Sequence, residues 1–136
     1  VSTAPALSGV LVLHVEDDAL NRQLVGTVLA RYHPEVELVS VASLAEARSA
    51  LQMFTPDLIL LDLLFPDGLG SDLLPTLPRR ADGHPPPVVL LTSRMAGVDV
   101  SAVVAYLTKP FDLERLLETV GSALGGPTWA GAREVS

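Results

Sequence analysis

Two short runs constrain the fold of this chain more than any other feature. Leu58–Leu61 (LILL) and Val88–Leu91 (VVLL) are apolar at every position. A strand with one wet face alternates apolar and polar residues, so a strand with no polar position is covered on both faces. Val10–Val15 (VLVLHV) has nearly the same character, interrupted by His14. Helix-period segments lie between these runs. Asp18 to Arg31 places Leu20, Leu24, Val25, Val28 and Leu29 on one predicted face. Val36–Val41 (VELVSV) alternates like a half-buried edge strand. Ser43 and Glu46 form a capping box, in which each side chain satisfies the other's backbone donor. The helix they open is expected to reach about Phe54, ahead of Pro56. Val103–Leu107 reads as a weaker fifth strand. Asp112 caps a last helix carrying Leu113, Leu116, Leu117, Val120 and Leu124 on one face. Strands alternating with helices imply the α/β class: a single doubly wound, five-stranded parallel sheet with right-handed crossovers.

Composition narrows the function. The chain has 136 residues, one domain's worth, and 49% are hydrophobic, which excludes intrinsic disorder. Aromatics are only 4%, so the core must be aliphatic. The net charge of −7 argues against direct nucleic-acid binding or attachment to an anionic membrane. Without cysteine there are no disulfides or thiolate metal sites. No apolar run approaches the roughly 20 residues of a membrane helix, and no secretory signal opens the chain. A cytoplasmic location is the expectation. Residues 1–9 read as a flexible leader, 10–124 as the domain, and 125–136 as a tail or linker.

In open parallel sheets, function sits beyond the carboxyl ends of the strands. Glu16, Asp17 and Asp18 follow the first strand, Asp62 the third, Thr92 and Ser93 the fourth, and Lys109 and Pro110 the fifth. Lys109 is the only lysine in the chain. Three carboxylates in one pocket cannot all stay ionised unless a cation or a raised pKa relieves them. An all-oxygen cluster suits a hard divalent cation, Mg²⁺ above all. With a lysine and a hydroxyl beside it, such a cluster is equipped for phosphoryl transfer onto an aspartate. His14, inside an apolar strand, reads as a satisfied core histidine, and Asp18 as a solvated or N-capping residue.

The segments VLHVEDDALNR, LILLDLLFPDGLG, VVLLTS and YLTKPFD resemble the motifs of the response-regulator receiver domain of two-component signalling. The resemblance runs from residue 10 to 124 and implies a CheY-like, flavodoxin-like sheet of strand order 2-1-3-4-5. It implies that Asp62 is the phospho-acceptor, with Thr92 and Lys109 completing the catalytic set. Glu16, Asp17, Asp62 and the backbone carbonyl of Leu64 would hold Mg²⁺, and Thr92 and Tyr106 would act as the conformational switch. It further implies that the Lys109–Pro110 bond is cis. A histidine kinase or histidine phosphotransfer protein would donate the phosphoryl group, and an unidentified output partner would read the result. The module would not be an enzyme beyond its own phosphorylation and autodephosphorylation, and would be a monomer or weak dimer.

Three features depart from that pattern. Only thirteen residues separate Thr92 from Tyr106, which predicts a shortened fourth helix. Pro75 and Pro78 compromise the third. Leu64 and Arg94 resemble positions that tune hydrolysis in receivers, and an apolar Leu64 beside a long Arg94 predicts a slow off-switch. Two other readings compete. A pseudo-receiver would bind proteins without productive phosphorylation. A haloacid-dehalogenase-type phosphatase needs a second acid two residues after the nucleophile, where Leu64 stands.

Overall fold

The computed structural model describes residues 9–92, 103–109, 112–125 and 133–134. In chain order they form β1 (Val10–Val15), α1 (Ala19–Tyr32), β2 (Val36–Val41), α2 (Leu44–Met53) and β3 (Leu58–Leu61). A small hairpin of β4 (Leu64–Phe65) and β5 (Gly68–Leu69) leads into a 3-10 helix over Gly70–Thr76. Then come β6 (Val88–Thr92), β7 (Ala105–Thr108), α3 (Leu113–Leu124) and β8 (Arg133–Glu134). The main sheet has the order β2-β1-β3-β6-β7-β8, and every pair in it is parallel. Its first five strands are the expected 2-1-3-4-5 sheet. The sixth is an addition, because part of the segment read as a tail pairs with the β7 edge.

The two-sided burial inferred from LILL appears as two separate cores. Val12, Leu58, Leu60, Val89, Leu91, Ala105 and Leu107 face one side, against Val25 and Leu29 of α1 and Leu116, Val120 and Ala123 of α3. Leu13, Val15, Ile59, Leu61, Val88 and Leu90 face the other, against Leu44 and Ala47 of α2 and Leu73 of the 3-10 helix. Alternate residues of each strand serve alternate cores, the period of two that a pleated strand imposes.

The helices begin where their caps predict. Asp18 accepts from the amides of Leu20 and Asn21, so it is an N-cap. Ser43 accepts from Glu46 N while Glu46 Oε1 accepts from Ala42 N, 2.8 Å away. Asp112 caps α3 through the amide of Glu114. The face expected for α1 needs correction. Val25 and Leu29 are buried, but Leu20 is 72% exposed and Leu24 45%, so the helix meets the sheet on a narrower stripe than its leucines suggest. His33 ties the end of α1 to α3, with its Nε2 3.2 Å from the Leu117 carbonyl. The expected third helix is the short 3-10 segment with Pro75 inside it, as the prolines dictate. The expected short fourth helix, Ser93, Arg94 and Pro110 lie outside the described residues.

The chain after β3 is folded back tightly. Gly68 has φ +142, a backbone region that L side chains rarely adopt. Asp67 reaches across to accept from the amides of Leu44 and Ala45, at 3.4 and 3.2 Å, which fixes the turn to the start of α2. Gly70 donates to the Leu63 carbonyl at 2.6 Å, and a Cβ there would overlap the carbonyl of Asp62. Gly70→Ala should therefore displace the backbone that carries Asp62. Overpacking of this kind destabilises by about 1–3 kcal/mol, which urea unfolding would measure. A variant as stable as wild type would show that the turn relaxes freely.

Candidate functional site

The same parity that sorts the cores places the site. Glu16 continues the Val12 and His14 positions of β1, Asp62 continues Leu58 and Leu60, and Lys109 continues Ala105 and Leu107. All three leave the sheet at its carboxyl end. There Lys109 Nζ lies 3.0 Å from Glu16 Oε1 and 3.0 Å from Asp62 Oδ2. The remaining oxygens are also engaged. Asp62 Oδ1 accepts from Leu63 N at 2.7 Å, and Glu16 Oε2 accepts from Asp18 N at 3.2 Å. Glu16 and Asp62 are buried, whereas Asp17 is exposed beside them. One oxygen from each of the three carboxylates lies within 4.8 Å of the others.

The lysine is fixed by backbone as well as by charge. Its amide donates to the Thr92 carbonyl at 2.7 Å, which ties the end of β7 to the end of β6. Thr92 is fully buried and pairs in register with Thr108. Tyr106 is half-buried and packs on the α2 side of the sheet. Leu64, two residues past Asp62, opens the β4–β5 hairpin opposite Leu69, with both side chains about half exposed. Arg22 was missed by the sequence reading. Its Nη1 donates to the Glu16 carbonyl at 2.7 Å, so it holds the acidic loop by its backbone. Gly70 was missed too, although a glycine eight residues after Asp62 was visible in LILLDLLFPDGLG.

Electrostatics follows from this crowding. Burial raises the pKa of Glu16 above the ordinary glutamate value, and the nearby Asp62 charge adds to the rise. The hydrogen bonds from Lys109 and from Asp18 N act the other way without cancelling it. Burial also works against the Lys109 ammonium, but its hydrogen bonds to Glu16 and Asp62 and their charges outweigh that, so its pKa is raised. Three carboxylates face one ammonium, which leaves an excess of negative charge. Oxygen donors at this spacing fit a small hard dication, which relieves that excess.

A family model for the response regulator receiver domain matches residues 12–121. LytT, a sensory transduction protein of Bacillus subtilis, is 32% identical over 113 residues, covering 80% of this chain and 46% of LytT. The response regulator protein PilR of Pseudomonas aeruginosa is 35% identical over 118 residues, covering 82% of this chain and 25% of PilR. The chain thus spans half or less of the length of these relatives. Among solved structures, a CheY-like receiver domain protein from Methanospirillum hungatei JF-1 superposes with a TM-score of 0.75 at 23% identity, covering 87% of this chain and 95% of that one. The receiver domain of a signal transduction histidine kinase from Syntrophus aciditrophicus gives a TM-score of 0.73 at 28% identity, covering 87% and 92%.

Directly below the ion pair, on the same side of β1, sits His14. It is buried, and its Nδ1 has no partner among the described residues, so the expectation of a satisfied histidine does not hold. Its pKa is lowered from 6.5 to about 4, by burial first and then by the charge of Lys109, with Arg22 adding to the drop and Asp62 opposing it. Between those values the unfolded chain binds a proton that the folded chain refuses. Stability therefore falls as pH drops through that window, by about 3 kcal/mol at 1.36 kcal/mol per unit. Urea unfolding of wild type and His14→Val between pH 7 and pH 4 should show wild type losing about that much relative to the variant. At pH 7, His14→Val should be no less stable, since it removes an unsatisfied ring nitrogen. Parallel pH profiles would show that His14 is not held neutral.

Proposed function

This chain belongs to the response-regulator receiver family, and from that premise we propose that it accepts a phosphoryl group on Asp62 in a Mg²⁺-dependent transfer. The observation that carries the reading is the Lys109 ammonium, held 3.0 Å from both Glu16 and Asp62 at the carboxyl end of the sheet. The donor is a phosphohistidine of a histidine kinase or phosphotransfer protein. An Asp62 oxygen attacks phosphorus, the donor's P–N bond breaks, and the imidazole leaves. Lys109 neutralises charge on the incoming phosphoryl oxygens, and Thr92 supplies a hydroxyl at the end of β6. Glu16, Asp17, Asp62 and the Leu64 carbonyl would hold Mg²⁺, which when bound supplies charge neutralisation at the phosphoryl oxygens.

The readout is a shift between two conformations rather than a chemical product. Adding a phosphoryl group changes what Lys109 must pair with. Lys109 is bonded through its amide to Thr92, and β7 carries Tyr106 three residues earlier. That backbone path joins acceptor, hydroxyl and aromatic, which supports the switch role of Thr92 and Tyr106. The whole protein's output partner lies beyond this reading.

Incubation with Mg²⁺ and a small phosphodonor, followed by intact-mass measurement, should add one phosphoryl group to wild type and none to Asp62→Asn. Asp17→Asn should lose the modification while melting at the same or a higher temperature, because a repelling charge is gone. Labelling of Asp62→Asn would sink the acceptor assignment. A folded wild type that stays unlabelled would favour a protein-binding module without phosphorylation.

The half-exposed, apolar Leu64 cannot hydrogen-bond a hydrolytic water, so self-dephosphorylation should be slow. Leu64→Asn should shorten the phosphoryl half-life, followed by loss of the added mass after donor removal. An unchanged half-life would rule out this role for Leu64.

A further inference from the structure

Glu16 and Asp17 stand next to each other at the end of β1 and are held in opposite ways. Every polar atom of Glu16 has its own partner. Its amide donates to the Val41 carbonyl at 3.0 Å, its carboxylate oxygens accept from Lys109 Nζ and Asp18 N, and its carbonyl accepts from Arg22 Nη1 at 2.7 Å. Asp17 is exposed, and its carboxylate makes no hydrogen bond or ion pair among the described residues. Yet one of its oxygens lies within 4.8 Å of oxygens of Glu16 and Asp62.

A side chain without a partner stands where its backbone puts it, and Asp17 lies between two peptides. The one after it is pinned at Asp18, whose amide donates to Glu16 Oε2 and whose carboxylate caps α1. The one before it carries the Glu16 carbonyl, and Arg22 is the group that holds it among the described residues. Arg22 works from a fixed base. Its own amide donates to the Asp18 carbonyl at 3.0 Å and closes the first turn of α1. Its guanidinium is long, planar and always charged, which suits a short charge-assisted bond to a carbonyl.

We propose that Arg22 is a positioning residue for the cation site: by fixing the Glu16–Asp17 peptide it places the Asp17 carboxylate beside Glu16 and Asp62. The proposal rests on the reading of those three carboxylates as a Mg²⁺ site. Groups that orient ligands without touching the ion govern metal affinity strongly. The sign of the effect separates positioning from charge. Arg22 is a cation beside an acidic loop, so by charge alone its removal would tighten the binding of a dication. As a positioning residue, its removal must weaken that binding.

The test titrates MgCl₂ into the full chain at fixed ionic strength and follows the amide shifts of Asp17 and Asp62 by NMR. Wild type is compared with Arg22→Met and Arg22→Lys. Methionine keeps the apolar stem and loses both charge and donor. Lysine keeps the charge and a donor, and the bond to the Glu16 carbonyl uses a single donor. Arg22→Met should bind Mg²⁺ roughly tenfold more weakly, and Arg22→Lys should recover most of that loss. Without metal, the Asp17 amide order parameter should fall in Arg22→Met from the rigid range of about 0.85 toward about 0.6. A purely structural role would lower the melting temperature and move neither readout. If Arg22→Met fails to fold, Arg22→Gln, whose amide nitrogen ends two bonds short of the Nη1 position, carries the same expectation. The proposal is overturned if the variant binds Mg²⁺ as tightly as wild type or more tightly, or if Asp17 stays as rigid. A wild type with no saturable response to Mg²⁺ overturns the cation site and the proposal with it, whereas equal binding by wild type and variant overturns the proposal alone.

Discussion

The site depends on the pleat of a sheet that is dry on both faces. Each strand sends alternate residues to different cores, so a slip of one residue would exchange the two cores and turn Glu16, Asp62 and Lys109 to the wrong side. The parallel register fixes the other coordinate. His14 aligns with Leu60 and Val15 with Leu61, so Glu16 and Asp62 leave their strands at the same height. On the far side, Thr92 aligns with Thr108, which delivers Lys109 just past the end of the sheet. The aliphatic packing that stabilises the domain is thus the same constraint that brings two carboxylates to one ammonium.

Bringing them together has an electrostatic consequence that the fold absorbs locally. Glu16 is buried with its pKa raised, and it is held by Lys109, by Asp18 N and, through its carbonyl, by Arg22. Asp18 and Arg22 are close in sequence, whereas Lys109 comes from the end of β7, three strands away in the sheet. A buried carboxylate is retained when its lone pairs are met by donors. Below it, the neutral His14 takes no charge into the core, because two nearby cations and burial hold its proton off.

Much of this was legible from residue pattern. LILL and VVLL announced a two-faced sheet because period-two burial leaves no polar position. Ser43, Glu46, Asp18 and Asp112 announced helix starts because their side chains compete for backbone amides, and the structure makes those bonds. Strand ends rich in Asp, Thr and Lys announced the site. What escaped depended on tertiary context. Leu20 and Leu24 have helical spacing but lie beyond the reach of the sheet. Gly70 has no readable signal of its own, because its reason is the Asp62 carbonyl across the loop. Asp67 caps a helix that begins more than twenty residues earlier, which no local pattern shows. Arg133–Glu134 has no strand pattern at all. It pairs because an edge is available, and edge availability is a property of the folded sheet.

The resting ion pair also sets the direction in which the site can respond. Lys109 is the chain's only lysine and already divides itself between Glu16 and Asp62. Any new anionic group on Asp62 would compete with Glu16 for that one lysine. Glu16 is buried with a pKa already raised, chiefly by burial, so without the lysine its charge would call for a proton or another cation. Asp17, exposed and adjacent, adds a third carboxylate within 4.8 Å on the solvent side, a donor set that suits the second course. The division of labour between a buried Glu16 and an exposed Asp17 therefore follows from charge balance. One carboxylate holds the lysine from within the pocket, and the other stands exposed beside it.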